Sequence, residues 1–211
     1  MKNSFNLIAP FYDSLSSLVY GKNLINAKKA FLNKISSGSQ ILLMGGGTGN
    51  ILNELFHSVP DITIDFVEPS SAMIEIAEKN LTAQFRSQVN FVCGDHHSIP
   101  KEKKFDVVTS FFVIDCFKQN EAIEFGIAIT SRLKENGVWL FSDFFYTNNK
   151  LQHLLIWVMY RFFKVIAKIS SNKLPDYELL FQQLHFSVEE EKTFMKGMIQ
   201  TKVLRRATSQ S

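Results

Sequence analysis

The spacing of apolar residues along the chain changes repeatedly between two patterns. Short, wholly apolar runs are typical of strands buried on both faces of a parallel sheet, and they alternate with longer segments of helical spacing. The predicted strands are residues 41–44, 62–67, 89–93, 105–112 and 138–144. The predicted helices between them are residues 50–57, 71–81 and 121–133. This alternation predicts an α/β fold with a mostly parallel sheet, helices on both faces and right-handed crossovers.

The two ends of the chain depart from this alternation. Residues 12–35 have the spacing of two helices that break at Gly21. After the fifth strand the pattern predicts, in order, a long helix, a short helix and two strands, over residues 151–169, 177–184, 186–194 and 198–205. Because these last strands are separated only near Lys196 and Gly197, we expect an antiparallel hairpin that closes the edge of a seven-stranded sheet.

The first strand runs directly into the turn Gly45-Gly46-Gly47-Thr48-Gly49. Glycine permits a tight bend and lets a ligand approach the backbone without a Cβ in the way. The helix expected from Asn50 adds free N–H groups and a positive dipole end. Since ligands of such sheets bind beyond the carboxyl ends of the strands, the turn predicts a binding site, with a purely structural loop as the alternative.

Acidic residues follow the next two strands. Glu68 ends the second strand, where its carboxylate can accept hydrogen bonds from both hydroxyls of a ribose. Asp95, after Gly94, can accept from an adenine amine while the next backbone N–H faces a ring nitrogen. A helix cap or a solvated carboxylate is the alternative for Glu68, and a simple turn residue for Asp95. With Ser110 and Phe111 at the end of the fourth strand, these positions form one predicted pocket.

The pattern resembles the class I S-adenosylmethionine-dependent methyltransferases, in which an apolar strand runs into GxGxG and acidic residues follow strands two and three. Gly45, Gly47, Gly49, Glu68 and Asp95 carry the match, which extends over most of residues 5–145. The resemblance implies a Rossmann-like fold with S-adenosylmethionine as cofactor. The implied cofactor-binding residues are Tyr12, Gly45, Gly46, Gly47, Thr48, Gly49, Glu68, Pro69, Met73, Asp95, His96, Ser110 and Phe111.

The resemblance also implies how the single domain, residues 1–211, is divided. Residues 1–37 form an N-terminal helical lid, 38–146 the cofactor-binding core, and 147–211 a C-terminal helix and strand hairpin. The segment Ala9-Pro10-Phe11-Tyr12-Asp13 is similar to an element of small-molecule methyltransferases, including those acting on menaquinone and ubiquinone precursors. Tyr12 then directs its hydroxyl at the cofactor, or else serves only as an aromatic anchor of the lid.

Two positions depart from the family pattern. Members usually carry an acidic residue where this chain has Leu43, and that acid binds the methionine amino group. Backbone carbonyls of the glycine turn are the substitute, and weaker cofactor binding or a changed ligand is expected. Gly46, where many relatives have a larger residue, is expected to add flexibility that costs entropy when the turn becomes ordered.

Methyl transfer is an in-line displacement, and much of its acceleration comes from holding and desolvating the reactants. A protein base is therefore optional, and the candidates are His96, Asp115 and Tyr12. His96 pairs in sequence with His97 and is otherwise a solvated loop residue, while Asp115 is otherwise the cap of the next helix. No metal site is expected, because Cys93 and Cys116 lack a CxxC spacing.

Composition limits the partners. A net charge of +3 without a dense run of Lys and Arg argues against nucleic acid, and 20 Phe residues favour a hydrophobic or aromatic small-molecule substrate. The apolar helix 151–169 carries Arg161, Lys164 and Lys168, so it is too polar to span a bilayer but fits a peripheral contact with anionic lipid. Core packing or the interface of a homodimer is the alternative for that helix.

Two other functions stay open at this point. A degenerate methyltransferase fold acting as a non-catalytic binding subunit would explain Leu43 and the lack of an evident base. A nicotinamide-dependent oxidoreductase also uses a glycine-rich turn, but the third glycine of its GxGxxG motif falls at Asn50 here. Two cysteines without a disulfide pattern and an N-terminus without a secretory signal predict a cytoplasmic protein.

Overall fold

A computed structural model describes residues 20–166, 171 and 173–207, and these residues form one twisted α/β sheet with helices packed on it. The strands are β1 Gln40–Met44, β2 Thr63–Glu68, β3 Val89–Cys93, β4 Phe105–Phe111, β5 Leu133–Phe144, β6 Phe186–Phe194 and β7 Ile199–Arg206. The helices are α1 Asn23–Lys29, α2 Leu52–Ser58, α3 Ser71–Asn80, α4 Gln119–Thr130, α5 Lys150–Ile166 and α6 Tyr177–Gln183. Within this described part, no helix is long and apolar enough to cross a membrane.

The sheet order is β3-β2-β1-β4-β5-β7-β6. The strands β1 to β5 pair in parallel, whereas β7 runs antiparallel between β5 and β6. The predicted seven-stranded, mostly parallel sheet with a closing hairpin is therefore confirmed. The order reverses at β1, which lies between β2 and β4, and this reversal opens a crevice at the carboxyl edge of the sheet.

The central strands are buried on both faces, as their wholly apolar runs predicted. In β1, Ile41 and Leu43 belong to one hydrophobic cluster, while Leu42 and Met44 belong to the cluster on the opposite face. Side chains also start two of the helices: Ser70 Oγ accepts from the backbone N–H of Met73 at α3, and Asp176 caps α6 in the same way. These caps fix where the chain turns from the sheet edge into a helix.

The boundary between α4 and β5 differs from the prediction. Residues 131–133 were expected to be helical, but α4 ends at Thr130 and β5 begins at Leu133. The carbonyl of Arg132 accepts the backbone N–H of Phe105 at 2.9 Å, and Leu133 pairs with Phe105 in the sheet. An apolar residue at position 133 fits the spacing of a helix as well as that of a strand. Pairing with β4 therefore determines where α4 ends.

Gly21 has a φ angle of +57° and lies in the turn that precedes α1, whereas almost all of the helix predicted before it lies outside the described residues. Residues 1–19, and with them most of the predicted lid, lie outside the described residues, as do 167–170 at the end of the predicted long helix. The division of the chain at residues 37 and 146 stays a prediction.

Two buried threonines allow a test of how this core is stabilised. Thr109 has no partner for its hydroxyl in the described part of the chain, whereas the Thr201 hydroxyl donates to the Ala27 carbonyl at 3.1 Å and contacts Ser142 Oγ at 2.8 Å. We expect Thr109→Val to leave the free energy of unfolding unchanged or to raise it by up to about 1 kcal/mol, and Thr201→Val to lower it by about 1–3 kcal/mol. Urea denaturation measures both. A larger loss from Thr109→Val than from Thr201→Val would contradict this account.

Candidate functional site

The glycine turn after β1 has a backbone that only glycine adopts without strain. Gly45, Gly47 and Gly49 have φ angles of +63°, +58° and +72°. The N–H of Gly45 donates to the carbonyl of Val67 at 2.8 Å, and the N–H of Gly49 donates to the carbonyl of Gly46 at 3.1 Å. The turn is thus tied to β2 and closed on itself before α2 begins at Leu52, two residues later than predicted.

Three of these glycines are enclosed by side chains and one is not. A Cβ at Gly45 would overlap Val113, and one at Gly49 would lie 2.7 Å from the Cβ of Ala77. A Cβ at Gly46 would overlap the ring of Phe66, so a larger residue does not fit at this position. The flexibility expected of Gly46 stays a prediction. Only Gly47 has open space beside it, with no atom within 4 Å. A ligand can therefore approach the turn at Gly47.

Glu68, at the end of β2, connects this turn to α3. Its side chain is 5% exposed, and each carboxylate oxygen accepts one backbone N–H, from Gly47 and from Ser70, both at 3.0 Å. Burial raises the pKa of Glu68, while these two hydrogen bonds act in the opposite direction. Since a carboxylate has about four acceptor positions, each oxygen can still accept a hydrogen bond from a hydroxyl group. The geometry fits the ribose-binding role predicted for this residue.

Asp95 and His96 lie beside Glu68 at the carboxyl end of β3. Asp95 is exposed, its Oδ1 accepts the backbone N–H of His97 at 2.9 Å, and its own N–H donates to Ser98 Oγ at 3.2 Å. The His96 ring lies 4.0 Å from the His97 ring and meets the Phe125 ring edge-on. Burial and the neighbouring His97 lower the pKa of His96, so its imidazole is neutral at pH 7.

The other predicted cofactor contacts are placed as follows. The Ser110 hydroxyl is fully buried and accepts a hydrogen bond from Trp139 Nε1 at 2.9 Å, and Ser110 pairs with Met44 and Phe141 on the neighbouring strands. Phe111 is buried in the cluster on one face of the sheet. Thr48 and Met73 are buried, and Pro69 is half-buried. Tyr12 lies outside the described residues.

A second buried carboxylate, Asp143 at the end of β5, escaped the sequence analysis. Its Oδ2 accepts the backbone N–H groups of Ile114 at 3.1 Å and Asp115 at 3.2 Å, and its Oδ1 accepts that of Phe144 at 2.9 Å. Asp115 accepts a hydrogen bond from the Cys116 thiol at 3.5 Å. The available signal was an acidic residue interrupting the apolar strand 138–144.

Asp115 and Asp143 form a buried acidic pair. Burial raises the pKa of Asp115 to about 6, and burial together with the charge of Asp115 raises the pKa of Asp143 well above its usual range. Burial and the nearby carboxylates of Asp115, Asp143 and Glu68 likewise raise the pKa of the Cys116 thiol. The pair therefore holds a proton in mildly acidic solution. Asp115 does not cap α4, which begins at Gln119.

Metal-ligating residues do not cluster in the described part of the chain. No group of three or more His, Cys, Asp or Glu side chains there is positioned to hold a metal ion.

Residues 41–137 match a family described as a methyltransferase domain. The chain is 37% identical over 109 residues to a malonyl-[acyl-carrier protein] O-methyltransferase of Halalkalibacterium halodurans, covering 49% of this chain and 38% of that one. It is 30% identical over 111 residues to a demethylmenaquinone methyltransferase of Thermotoga maritima, covering 51% and 46%. The chain thus spans half or less of the length of these two curated relatives.

Solved structures agree with these matches. An O-methyltransferase from neocarzinostatin biosynthesis has a TM-score of 0.68 at 14% identity, covering 95% of this chain and 58% of that one. A 1,6-didemethyltoxoflavin N1-methyltransferase of Burkholderia thailandensis has a TM-score of 0.69 at 13% identity, covering 98% and 88%. The chain therefore has the fold of the class I S-adenosylmethionine-dependent methyltransferases, and residues 41–137 are similar to a methyltransferase domain.

The departure of this chain from the family pattern at Leu43 has a structural counterpart. Leu43 is buried in an apolar cluster, and its partners on the neighbouring strands are Phe66 and Thr109. The position is therefore part of the core and offers no polar atom to a cofactor amine. The expected weakening of cofactor binding stays a prediction.

The contact between Gly46 and Phe66 can be tested with a double-mutant cycle. Gly46→Ala places a Cβ in the space of the Phe66 ring, so we expect a loss of about 1–3 kcal/mol in the free energy of unfolding. Phe66→Leu alone leaves a cavity, but in the double variant the smaller side chain admits the new Cβ, and the losses are less than additive. Strictly additive losses in urea denaturation would show that Phe66 is not the obstacle.

Asp115 predicts a distinct dependence of stability on pH. The folded protein keeps this proton up to about pH 6, whereas the unfolded chain loses it near its ordinary value of 3.8. The folded state therefore binds more protons between these values, and the free energy of unfolding falls as the pH rises through them. We expect Asp115→Asn to remove up to about 3 kcal/mol of this fall, measured by urea denaturation from pH 4 to 7. The exposed Asp61→Asn is the control, and equal effects of the two substitutions would contradict the assignment.

Proposed function

We propose that this chain transfers the methyl group of S-adenosylmethionine to a small hydrophobic or aromatic acceptor. The observation that carries the proposal is the buried Glu68 carboxylate, which is anchored on the N–H of Gly47 beside the open side of the glycine turn. A carboxylate held in this way at the end of β2 presents its remaining acceptor positions to vicinal hydroxyls. Such an arrangement is what a ribose-containing cofactor requires.

Different residues of the crevice bind different parts of this cofactor. Glu68 accepts from the ribose hydroxyls, Asp95 and the N–H of His96 meet the adenine, and Met73 packs against its ring. The backbone of residues 45–49 binds the methionine part of the cofactor. Backbone carbonyl groups accept from its amino group, because this chain has Leu43 where relatives carry an acidic residue. Once bound, the cofactor supplies a sulfonium methyl group open to in-line attack.

The acceptor side is formed where β4 and β5 end. The ring of Phe144 lies 5.1 Å from the rings of both Tyr20 and Phe112, and Asp115 and Asp143 are buried next to them. Aromatic rings favour a flat, apolar acceptor. The buried acidic pair disfavours an acceptor whose reacting atom belongs to an anionic carboxylate, because the like charges repel each other.

Like the aromatic rings of the crevice, the comparisons support an aromatic acceptor. Two similar structures were solved with 2-hydroxy-5-methyl naphthoic acid and with 1,6-didemethyltoxoflavin, and both compounds contain fused flat rings. One relative is named for demethylmenaquinone. Relatives named for malonyl-[acyl-carrier protein] would place a carboxylate at the reacting position, which the acidic pair opposes.

Proton transfer is assigned to Asp115 in this proposal. Asp143 holds the N–H groups of Ile114 and Asp115 and so fixes the segment that carries the base. In the proposed reaction the acceptor oxygen would bond to the methyl carbon of the bound cofactor while the carbon–sulfur bond breaks and S-adenosylhomocysteine leaves, and the hydroxyl proton would pass to a carboxylate oxygen of Asp115. A raised pKa matches such a base to a solution near neutrality. His96, neutral and half-buried at the β3 side, is the second candidate.

The two other functions fit the observations less well. The GxGxxG motif of nicotinamide-dependent oxidoreductases is missing, since Asn50 occupies its third glycine. A non-catalytic binding subunit would have no need of the anchored Glu68. We place the reaction in the cytoplasm because both cysteines are free thiols, which suits a reducing compartment.

Calorimetric titration with S-adenosylhomocysteine tests the cofactor site. We expect the wild-type chain to bind, and Glu68→Ala to weaken binding by about 2 kcal/mol or more, because charge-assisted hydrogen bonds to the ribose are lost. Glu54→Gln is the control, since Glu54 is exposed on α2 and pairs with Lys29. Absence of binding to the folded wild-type chain, or binding of a nicotinamide cofactor instead, would overturn the proposal.

A further inference from the structure

Among the described side chains of helix α5, Gln152 and Ile156 attach it to the domain. Gln152 donates to the carbonyl of Met195 at 2.7 Å, and Ile156 is fully buried in a cluster that includes Phe144 and Tyr20. The helix therefore lies along the acceptor side of the crevice, at the edge of the sheet where β5 ends. Its inner face is already occupied by the protein.

The outer face of α5 exposes a group of large apolar side chains. Leu151, Leu154, Trp157 and Val158 are 64%, 53%, 58% and 50% exposed. Their spacing of three, four and seven residues places them side by side on the helix. The guanidinium of Arg161 lies 5.5 Å from the centre of the Trp157 ring on the same face. We call these five residues the outer face of α5.

The chain segment that carries the outer face of α5 contains basic but no acidic residues. The sequence from residue 144 to residue 175 contains no Asp or Glu, and its basic residues are Lys150, Arg161, Lys164, Lys168 and Lys173. Residues 150–211 as a whole carry 10 of the 23 basic side chains but only 5 of the 20 acidic ones. An occupant of this face must therefore be apolar in part and negatively charged at its rim.

These charges argue against a second copy of the chain as the occupant. A symmetric contact through the outer face of α5 would bring its basic residues opposite those of the partner, with no acidic residue of this segment to separate them. An anionic bilayer has the opposite sign and supplies an apolar layer beneath its phosphates. Tryptophan and arginine are side chains that suit such an interface.

We propose that the outer face of α5 binds the surface of an anionic lipid bilayer, with Leu151, Leu154, Trp157 and Val158 in the boundary between headgroups and acyl chains. Lys150 and Arg161 then pair with lipid phosphates. The inference that this contact brings the crevice to an acceptor dissolved in the bilayer rests on the proposed function. The membrane contact itself does not.

The test is sedimentation of the full chain with lipid vesicles, together with tryptophan fluorescence. We expect binding to vesicles of phosphatidylglycerol mixed into phosphatidylcholine, little binding to phosphatidylcholine alone, and weaker binding at raised salt. Trp139 is fully buried, so a shift of emission to shorter wavelength on binding reports Trp157. Trp157→Phe should abolish that shift.

Matched variants distinguish a specific loss of membrane binding through the outer face of α5 from a general loss of solubility. Leu154→Glu should weaken vesicle binding by about tenfold or more, because an apolar side chain no longer leaves water. Ile127→Glu, the same kind of change at a 56% exposed position of α4, should leave binding unchanged. Neither variant should alter the affinity for S-adenosylhomocysteine, so failure of the membrane contact is distinguishable from failure of the methyltransferase site.

Several results would overturn the membrane proposal. They are no binding of the wild-type chain to anionic vesicles, equal binding to neutral vesicles, or equal losses in Leu154→Glu and Ile127→Glu. A dimer that Leu154→Glu dissociates in sedimentation velocity, without vesicle binding by the wild type, would assign the face to a second copy.

Discussion

The hydrogen bonds of the Glu68 carboxylate are the constraint on which the rest of the site depends. One oxygen holds the N–H of Gly47 and the other holds the N–H of Ser70, so a single side chain joins the turn after β1 to the start of α3. Burial would favour the neutral acid, and the two N–H groups offset part of that cost. The site is therefore organised before any ligand binds, which reduces the ordering that binding requires.

Asp143 organises the backbone on the β5 side of the crevice, as Glu68 does on the β2 side. It collects the N–H groups of Ile114 and Asp115 and so positions the segment after β4, whose Val113 packs against Gly45. Buried backbone N–H groups need acceptors, and a strand-end carboxylate satisfies two of them at once. The two carboxylates thus fix opposite walls of one crevice through backbone contacts.

Sequence patterns predicted the sheet because the central strands β1, β2 and β4 are largely buried on both faces and contain mainly apolar residues. They failed at Leu133, where pairing with Phe105 overrode a helical periodicity. They did not reveal that Gly46 lies against the Phe66 ring, because that ring comes from another strand. Asp143 was missed because its role depends on hydrogen bonds to three backbone N–H groups, and the spacing of residues along the sequence does not reveal such bonds.

Leu43 adds no further carboxylate to a part of the protein that already holds several buried ones. Glu68, Asp115 and Asp143 all act on the Cys116 thiol, so three buried carboxylates lie within electrostatic reach of one group. A fourth carboxylate on β1 would raise the pKa of the others further and would have to be buried among apolar side chains. Leucine at this position limits the accumulated negative charge. In the proposed function, the backbone of the glycine turn is then the polar surface left for the cofactor amine.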